Sequence, residues 1–179
     1  MPSGTGITAD TPISLAIGAG LLLRNHAFVG PTQENNLFAV EREYHTPMLN
    51  GLMGDLKATD YIIRSVGRIE ATVPQMNATM IGAGLPGATV TPSAGQNLIE
   101  EATTRRIPDS AYADYELQLD RPDGGQFQFE IRRAINTGTF ESELQNDGEY
   151  APRYVLAGRY DAADLNSSPW AIRILDVAS

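Results

Sequence analysis

Glu141 and Glu143 stand two residues apart in a stretch of alternating polar and apolar character, so on a strand their carboxyls would share one face, as the acid/base pair of a glycoside hydrolase requires. A solvated strand face has the same spacing, and that is the reading adopted. The two histidines, His26 and His45, have no Asp/Glu-x-His spacing that would build a metal site, and neither forms a nucleophile motif with a serine. Cysteine is absent, which excludes thiolate catalysis and Cys-based zinc sites and fits a reducing cytosol. Gly82-Ala-Gly84-Leu-Pro-Gly87 matches the dinucleotide fingerprint letter for letter, but that motif works by joining a strand to the start of a helix. Here it follows a helical stretch and leads into Thr-Val-Thr-Pro-Ser, so it reads as a glycine-rich turn. Asn77-Ala-Thr79 and Asn166-Ser-Ser168 fit the glycosylation pattern, but no secretory signal precedes them. No enzymatic activity, cofactor or metal is expected.

The elements around these residues are short strands. From Ala113 to Leu156, Tyr115, Leu117 and Leu119 alternate with Glu116, Gln118 and Asp120 up to the turn Arg121-Pro-Asp-Gly-Gly125. Gln126 to Ile135 resumes the alternation, with Phe127, Phe129 and Ile131 on one face and Gln128, Glu130 and Arg132 on the other. Phe140 to Gln145 follows, then the turn Asn146-Asp-Gly148, then Arg153 to Tyr160 and the closing run Ala171 to Val177. Period two places Leu117, Phe127, Phe129, Ile131, Tyr154 and Leu156 in the core. Strands at this spacing predict an antiparallel β-sandwich or barrel, mainly β.

Upstream, residues 1–20 are expected to form an N-terminal arm, because Met1 to Pro12 is rich in Gly, Thr, Ser and Pro. The single β domain then spans residues 21–179, starting with strands Leu21 to Val29, Leu37 to Tyr44 and Tyr61 to Val73. Met76 to Ala83 reads as a short flanking helix, Gly84 to Ala94 as a Pro/Gly/Thr-rich linker, and Gln96 to Thr104 as a weaker helical stretch. Between His45 and Asp60 lies an extended loop that carries Met48, Leu49, Leu52, Met53 and Leu56 among Pro, Asn and Gly. Five aliphatic side chains in one loop are expected to meet another subunit, the alternative being a loop packed on its own core.

At 179 residues the chain is long enough for one self-sufficient core, and 42% hydrophobic with 20% charged residues is an ordinary globular composition. The net charge of −9, from 22 acidic against 13 basic residues, disfavours a groove that grips nucleic acid by its phosphates. The apolar run Ile13 to Leu23 lacks a basic flank and is shorter than the ~20 residues needed to cross a bilayer, so no membrane partner is expected.

The order of these features resembles the tail tube (major tail) proteins of long-tailed bacteriophages. The likeness rests on the arm, the strands Leu37 to Tyr44 and Tyr61 to Val73 flanking an apolar-tipped loop, the short helix, and the closing strands Tyr115 to Asp161. Its most family-like portion is Asp123-Gly-Gly125 followed by Phe127-Gln-Phe129-Glu-Ile131, then Tyr154 to Asp164. The resemblance implies a virion protein, assembled in the bacterial host cytoplasm, whose hexameric rings stack into a hollow tube for DNA. It also implies partners in the same tail: further copies of itself, the tape measure, and terminator or tip proteins. A DNA conduit must repel weakly rather than bind, which makes Glu116, Asp120, Glu130, Glu141 and Glu143, on the polar strand faces, the candidates for its inner wall. The alternative is a carbohydrate- or ligand-binding β-sandwich module, for which Trp170 is the one tryptophan platform. Less favoured still is a small glycosidase-like enzyme using Glu141 and Glu143.

Overall fold

In the computed structural model the described residues are 19–33, 35–46, 60–74, 78–101, 106–140 and 151–176. In chain order they form β1 (Leu21–Arg24), β2 (Ala27–Pro31), β3 (Leu37–His45), β4 (Tyr61–Thr72), α1 (Ala78–Gly84), β5 (Ala88–Ser93), β6 (Gln96–Glu101), β7 (Ala113–Asp120), β8 (Gln126–Asn136), β9 (Arg153–Ala157) and β10 (Trp170–Leu175). The protein is mainly β, all its strand pairs are antiparallel among the described residues, and its one α-helix is short.

Two layers make the sandwich. One sheet runs β2-β1-β7-β8-β10, the other β3-β4-β9, and β8 joins them because its last residues, Ile135 and Asn136, leave β7 and pair with β9. The crossing is made by a bulge in which Arg132 and Arg133 together oppose Asp114, with Arg133 at φ 48°. Asp114 holds the bulge by accepting the Arg133 N–H on Oδ1 at 2.8 Å. Because the extra residue shifts the alternation by one, Ile131 and Ala134 both point into the core although three positions apart.

The core lies between the layers, with Leu22, Tyr115, Leu117 and Ile131 from one sheet against Ile69, Ala71, Tyr154 and Leu156 from the other, and Met80 of α1 closing one end. Of the six residues placed in the core by period two, Leu117, Ile131, Tyr154 and Leu156 are buried. Phe129 packs against the cluster half-buried, its ring stacked on Phe38 at 4.9 Å, and Phe127 lies half-buried beyond it. The register is therefore as expected, but sheet β3-β4-β9 does not extend over the Phe127 end.

Several elements differ from the sequence reading. Leu21 to Val29 is two strands, turned at Asn25 and His26 with φ of 49° and 62°, a tight turn that Asn supports. Residues 84–104, read as linker and helix, instead contain the β5–β6 hairpin, turned beside Gly95 at φ 80°. Thr and Val in β5, and cross-strand pairing such as Val90 opposite Ile99, outweigh the helix-compatible Gln, Leu and Glu of β6. The strand from Arg153 ends at Ala157, since Gly158 passes so near the Pro169 carbonyl that a Cβ there would fall 2.7 Å from it. Phe140 carries no strand and packs on α1 beside Gly84; the rest of the Phe140 to Gln145 stretch lies outside the described residues. So does the arm up to Gly18, whereas Gly20 is already fixed, its N–H donating to Thr32 Oγ1 at 2.9 Å.

Candidate assembly surface

β3 pairs along its whole length with Tyr61 to Glu70 of β4, but β9 joins β4 only from Arg68 to Thr72. Residues 41–45 and 60–64 thus project as a two-stranded ribbon with every residue exposed. On it Tyr44, Tyr61, Ile62 and Ile63 each leave more than half of their surface in solvent. A two-stranded ribbon is marginal in water by itself; polar contacts tie its root, Glu41 to Arg68 at 3.3 Å and Glu70 to Arg68 and Arg153, and its far end, Thr46 to Asp60. The expected interface residues Met48, Leu49, Leu52, Met53 and Leu56 lie in residues 47–59, outside the described residues. Of the two strand ends that flank them, that of β4 is apolar and uncovered at Tyr61, Ile62 and Ile63, whereas that of β3 carries Glu41, Arg42, Glu43 and His45 beside Tyr44.

A second apolar area follows from the mismatch of the two layers. Ile172 and Ile174 of β10 stand beside Phe129 and Phe127 of β8, and both isoleucines are exposed. Arg121 lies over the Phe127 ring at 5.4 Å and pairs with Asp123 and Asp176 at 2.6 and 2.8 Å, capping that end with charge.

The opposite face of the β7–β8 hairpin carries the acids proposed for an inner wall. Glu116 and Glu130 sit directly across from each other, yet with relative exposures of 7% and 6% they are not wet. Neighbouring long side chains lie over them. Arg132 Nε donates to Glu130 Oε1 at 2.9 Å, Arg173 meets Glu130 Oε2 at 2.5 Å, and Gln118 Nε2 donates to Glu116 Oε1 at 2.5 Å. Burial opposes ionisation of Glu130, but the hydrogen bonds and charges of Arg132 and Arg173 outweigh it and hold the carboxyl below the usual glutamate range. A two-residue alternation distinguishes faces but not which polar side chains fold over their neighbours, so the sequence carried no sign of this network. Asp120 is exposed at the end of β7, where it accepts from Gln126 Nε2 at 3.2 Å. Glu141 and Glu143 lie outside the described residues.

The remaining sequence candidates are placed as follows. Trp170 is no open platform: its Nε1 donates to Ser65 Oγ at 2.9 Å, its ring meets Phe38 edge-on, and Arg42 covers it at 5.6 Å. His26 occupies the β1–β2 turn, with Nδ1 3.8 Å from Glu116, and His45 ends β3 on the ribbon. Among the described residues no three His, Asp or Glu side chains are grouped as metal ligands would be. Gly82 and Gly84 lie within α1, and Gly87, at φ 92°, turns the chain into β5, so the fingerprint lacks the strand-to-helix geometry that holds a pyrophosphate. No protein-family model matches the chain, and no curated protein matches it.

Proposed function

We propose that this chain is a structural subunit that assembles with copies of itself, and specifically a tail tube protein of a long-tailed bacteriophage whose stacked hexameric rings enclose a passage for DNA. The observation that carries the reading is the projecting ribbon. Tyr44, Tyr61, Ile62 and Ile63 are exposed on a part of the fold that contributes nothing to the core, and they flank the segment containing Met48, Leu49, Leu52, Met53 and Leu56. A surface of that kind is stabilised by contact with another molecule. The acidic balance of the chain, −9, suits a conduit that DNA traverses without being held; with Glu116 and Glu130 covered, Asp120, Glu141 and Glu143 remain its wall candidates.

Electron microscopy and sedimentation of the purified protein test the reading. Wild-type protein is expected to form rings or long hollow filaments, and the Leu52→Asp/Met53→Asp variant a folded species that does not polymerise. Assembly that survives this double substitution removes the segment from the interface. A basic inner wall in an assembled ring would overturn the conduit mechanism while leaving the fold intact.

A further inference from the structure

Separate stretches of chain meet beside the bulge of β8 and enclose a hollow of about 590 Å³. They are the 3₁₀ turn Asp109–Ala111 with Tyr112 after it, Arg133 of β8 itself, and residues 159–162, which follow β9. The last stretch is fixed there because the Arg159 N–H donates to the Arg132 carbonyl at 3.1 Å. After Ile131, strict alternation would turn residue 133 into the core, and the bulge sends Arg133 outward instead. Its φ of 48° is a conformation that glycine adopts without steric cost. An arginine here carries some backbone strain and places a guanidinium in the hollow.

The lining offers three kinds of contact. Arg133 reaches Asp161 only at 3.5 Å, against 2.6 and 2.9 Å for the pairs Arg121–Asp123 and Arg132–Glu130, and its Nε has no hydrogen-bond partner. Asp161 is oriented instead by its own turn, accepting the Ala163 N–H on Oδ1 at 2.9 Å. Arg159 donates from Nη1 to the Gly158 carbonyl at 3.1 Å and pairs with no carboxylate among the described residues. Two guanidiniums with donors to spare suit an oxyanion. Asp109 is exposed on the turn and forms no ion pair among the described residues, so its carboxylate can accept from hydroxyl groups. Tyr112 and Tyr160 add aromatic surface. We propose that this hollow binds a sugar that carries an acidic group, a phosphate or a carboxylate. The oxyanion lies on Arg133 and Arg159, ring hydroxyls on Asp109, and the apolar face of the ring against Tyr112 and Tyr160. The volume falls within the ~300–1,000 Å³ of small-molecule sites. Trp170, which the sequence offered as a platform, takes no part, because Arg42 covers its ring. The inference goes beyond the self-assembly proposed above and does not depend on it.

Titration calorimetry of the full chain with glucose 6-phosphate, glucuronate, glucose and inorganic phosphate tests the site. At least one of the two acidic sugars is expected to bind with a dissociation constant on the order of 1 mM or below. Its affinity should exceed those of glucose and inorganic phosphate about tenfold or more. Failure of both acidic sugars to bind overturns the proposal. Inorganic phosphate binding as tightly as the acidic sugars would make this a plain anion site and overturn the sugar. Arg159→Met keeps the aliphatic stem and should weaken binding about tenfold. Arg133→Gly relieves the positive φ, so the variant should remain folded by circular dichroism while losing the acidic sugar. Arg159→Met stands alone if Arg133→Gly misfolds. Asp109→Asn should reduce the preference for glucose 6-phosphate over inorganic phosphate without weakening phosphate binding, and an unchanged preference overturns the assignment of the hydroxyls to Asp109. Affinity for the acidic sugar that survives the arginine substitutions places it elsewhere and overturns the site, whether or not the protein assembles.

Discussion

A Cβ placed on Gly67 would fall 2.5 Å from the Cβ of Trp170 and 3.0 Å from Cγ2 of Ile131, so β4 and the start of β10 approach as closely as a bare backbone allows. Space, and not backbone conformation, is what requires glycine here. Gly67→Ala is expected to force the two sheets apart or Trp170 out of its rotamer, at about 1–3 kcal/mol. Thermal unfolding reads this as a drop of several degrees, and an unchanged midpoint would show that the sheets have slack.

Asn136 ties three elements together. Its Nδ2 donates to the Gly84 carbonyl at the end of α1 at 2.8 Å, and its Oδ1 accepts the Val155 N–H of β9 at 2.8 Å. Asn136→Ala strands both backbone groups at a buried position, an expected loss of about 1–3 kcal/mol. Denaturant unfolding should show a lower midpoint with the slope unchanged.

Glu130 sets part of the acid sensitivity. Its folded-state pKa lies below the ordinary value because Arg132 and Arg173 outweigh the effect of its burial. A depressed carboxyl contributes stability that is fully present above its unfolded pKa, about 4.3, and is lost as pH falls through the folded value. Glu130→Gln should therefore lower stability at neutral pH yet lose less of it on acidification below about pH 4. Parallel pH profiles for the two proteins would mean that the network contributes nothing to acid unfolding.

The ribbon separates folding from assembly. Ile62 and Ile63 are exposed and stand beyond the stretch of β4 that pairs with β9, so Ile62→Asp and Ile63→Asp should change stability by no more than about 0.5 kcal/mol. Each should nevertheless prevent polymerisation in a sedimentation assay. Normal filaments from the doubly substituted chain would relocate the interface to another surface.

Tyr154 closes the end of the core beneath α1, donating its hydroxyl to the Met80 carbonyl at 3.1 Å, and burial raises its pKa above the ordinary phenol value. Tyr154→Phe removes this buried hydrogen bond and is expected to cost about 1 kcal/mol. Equal stability of the two proteins would mean that the Tyr154 hydroxyl contributes nothing to the hold of α1 on the core.

The strands of the β7–β8 hairpin, with Leu117 and Ile131 inside, were legible in the sequence because period two is a local property and each side chain reports its own face. The β5–β6 hairpin was not, since six-residue strands containing Pro92, Asn97 and two glutamates carry too little periodicity to outweigh a helical reading, and only their mutual pairing decides it. The composition likewise determined that the chain is acidic and without cysteine. Tertiary structure alone decided that β8 would belong to both sheets, through an Asp114 nineteen residues before the Arg133 it holds. It also decided that Glu116 and Glu130 would be covered while Tyr61 and Ile62 would not. Coverage depends on which distant chain lies above a residue, and the sequence around that residue does not encode it.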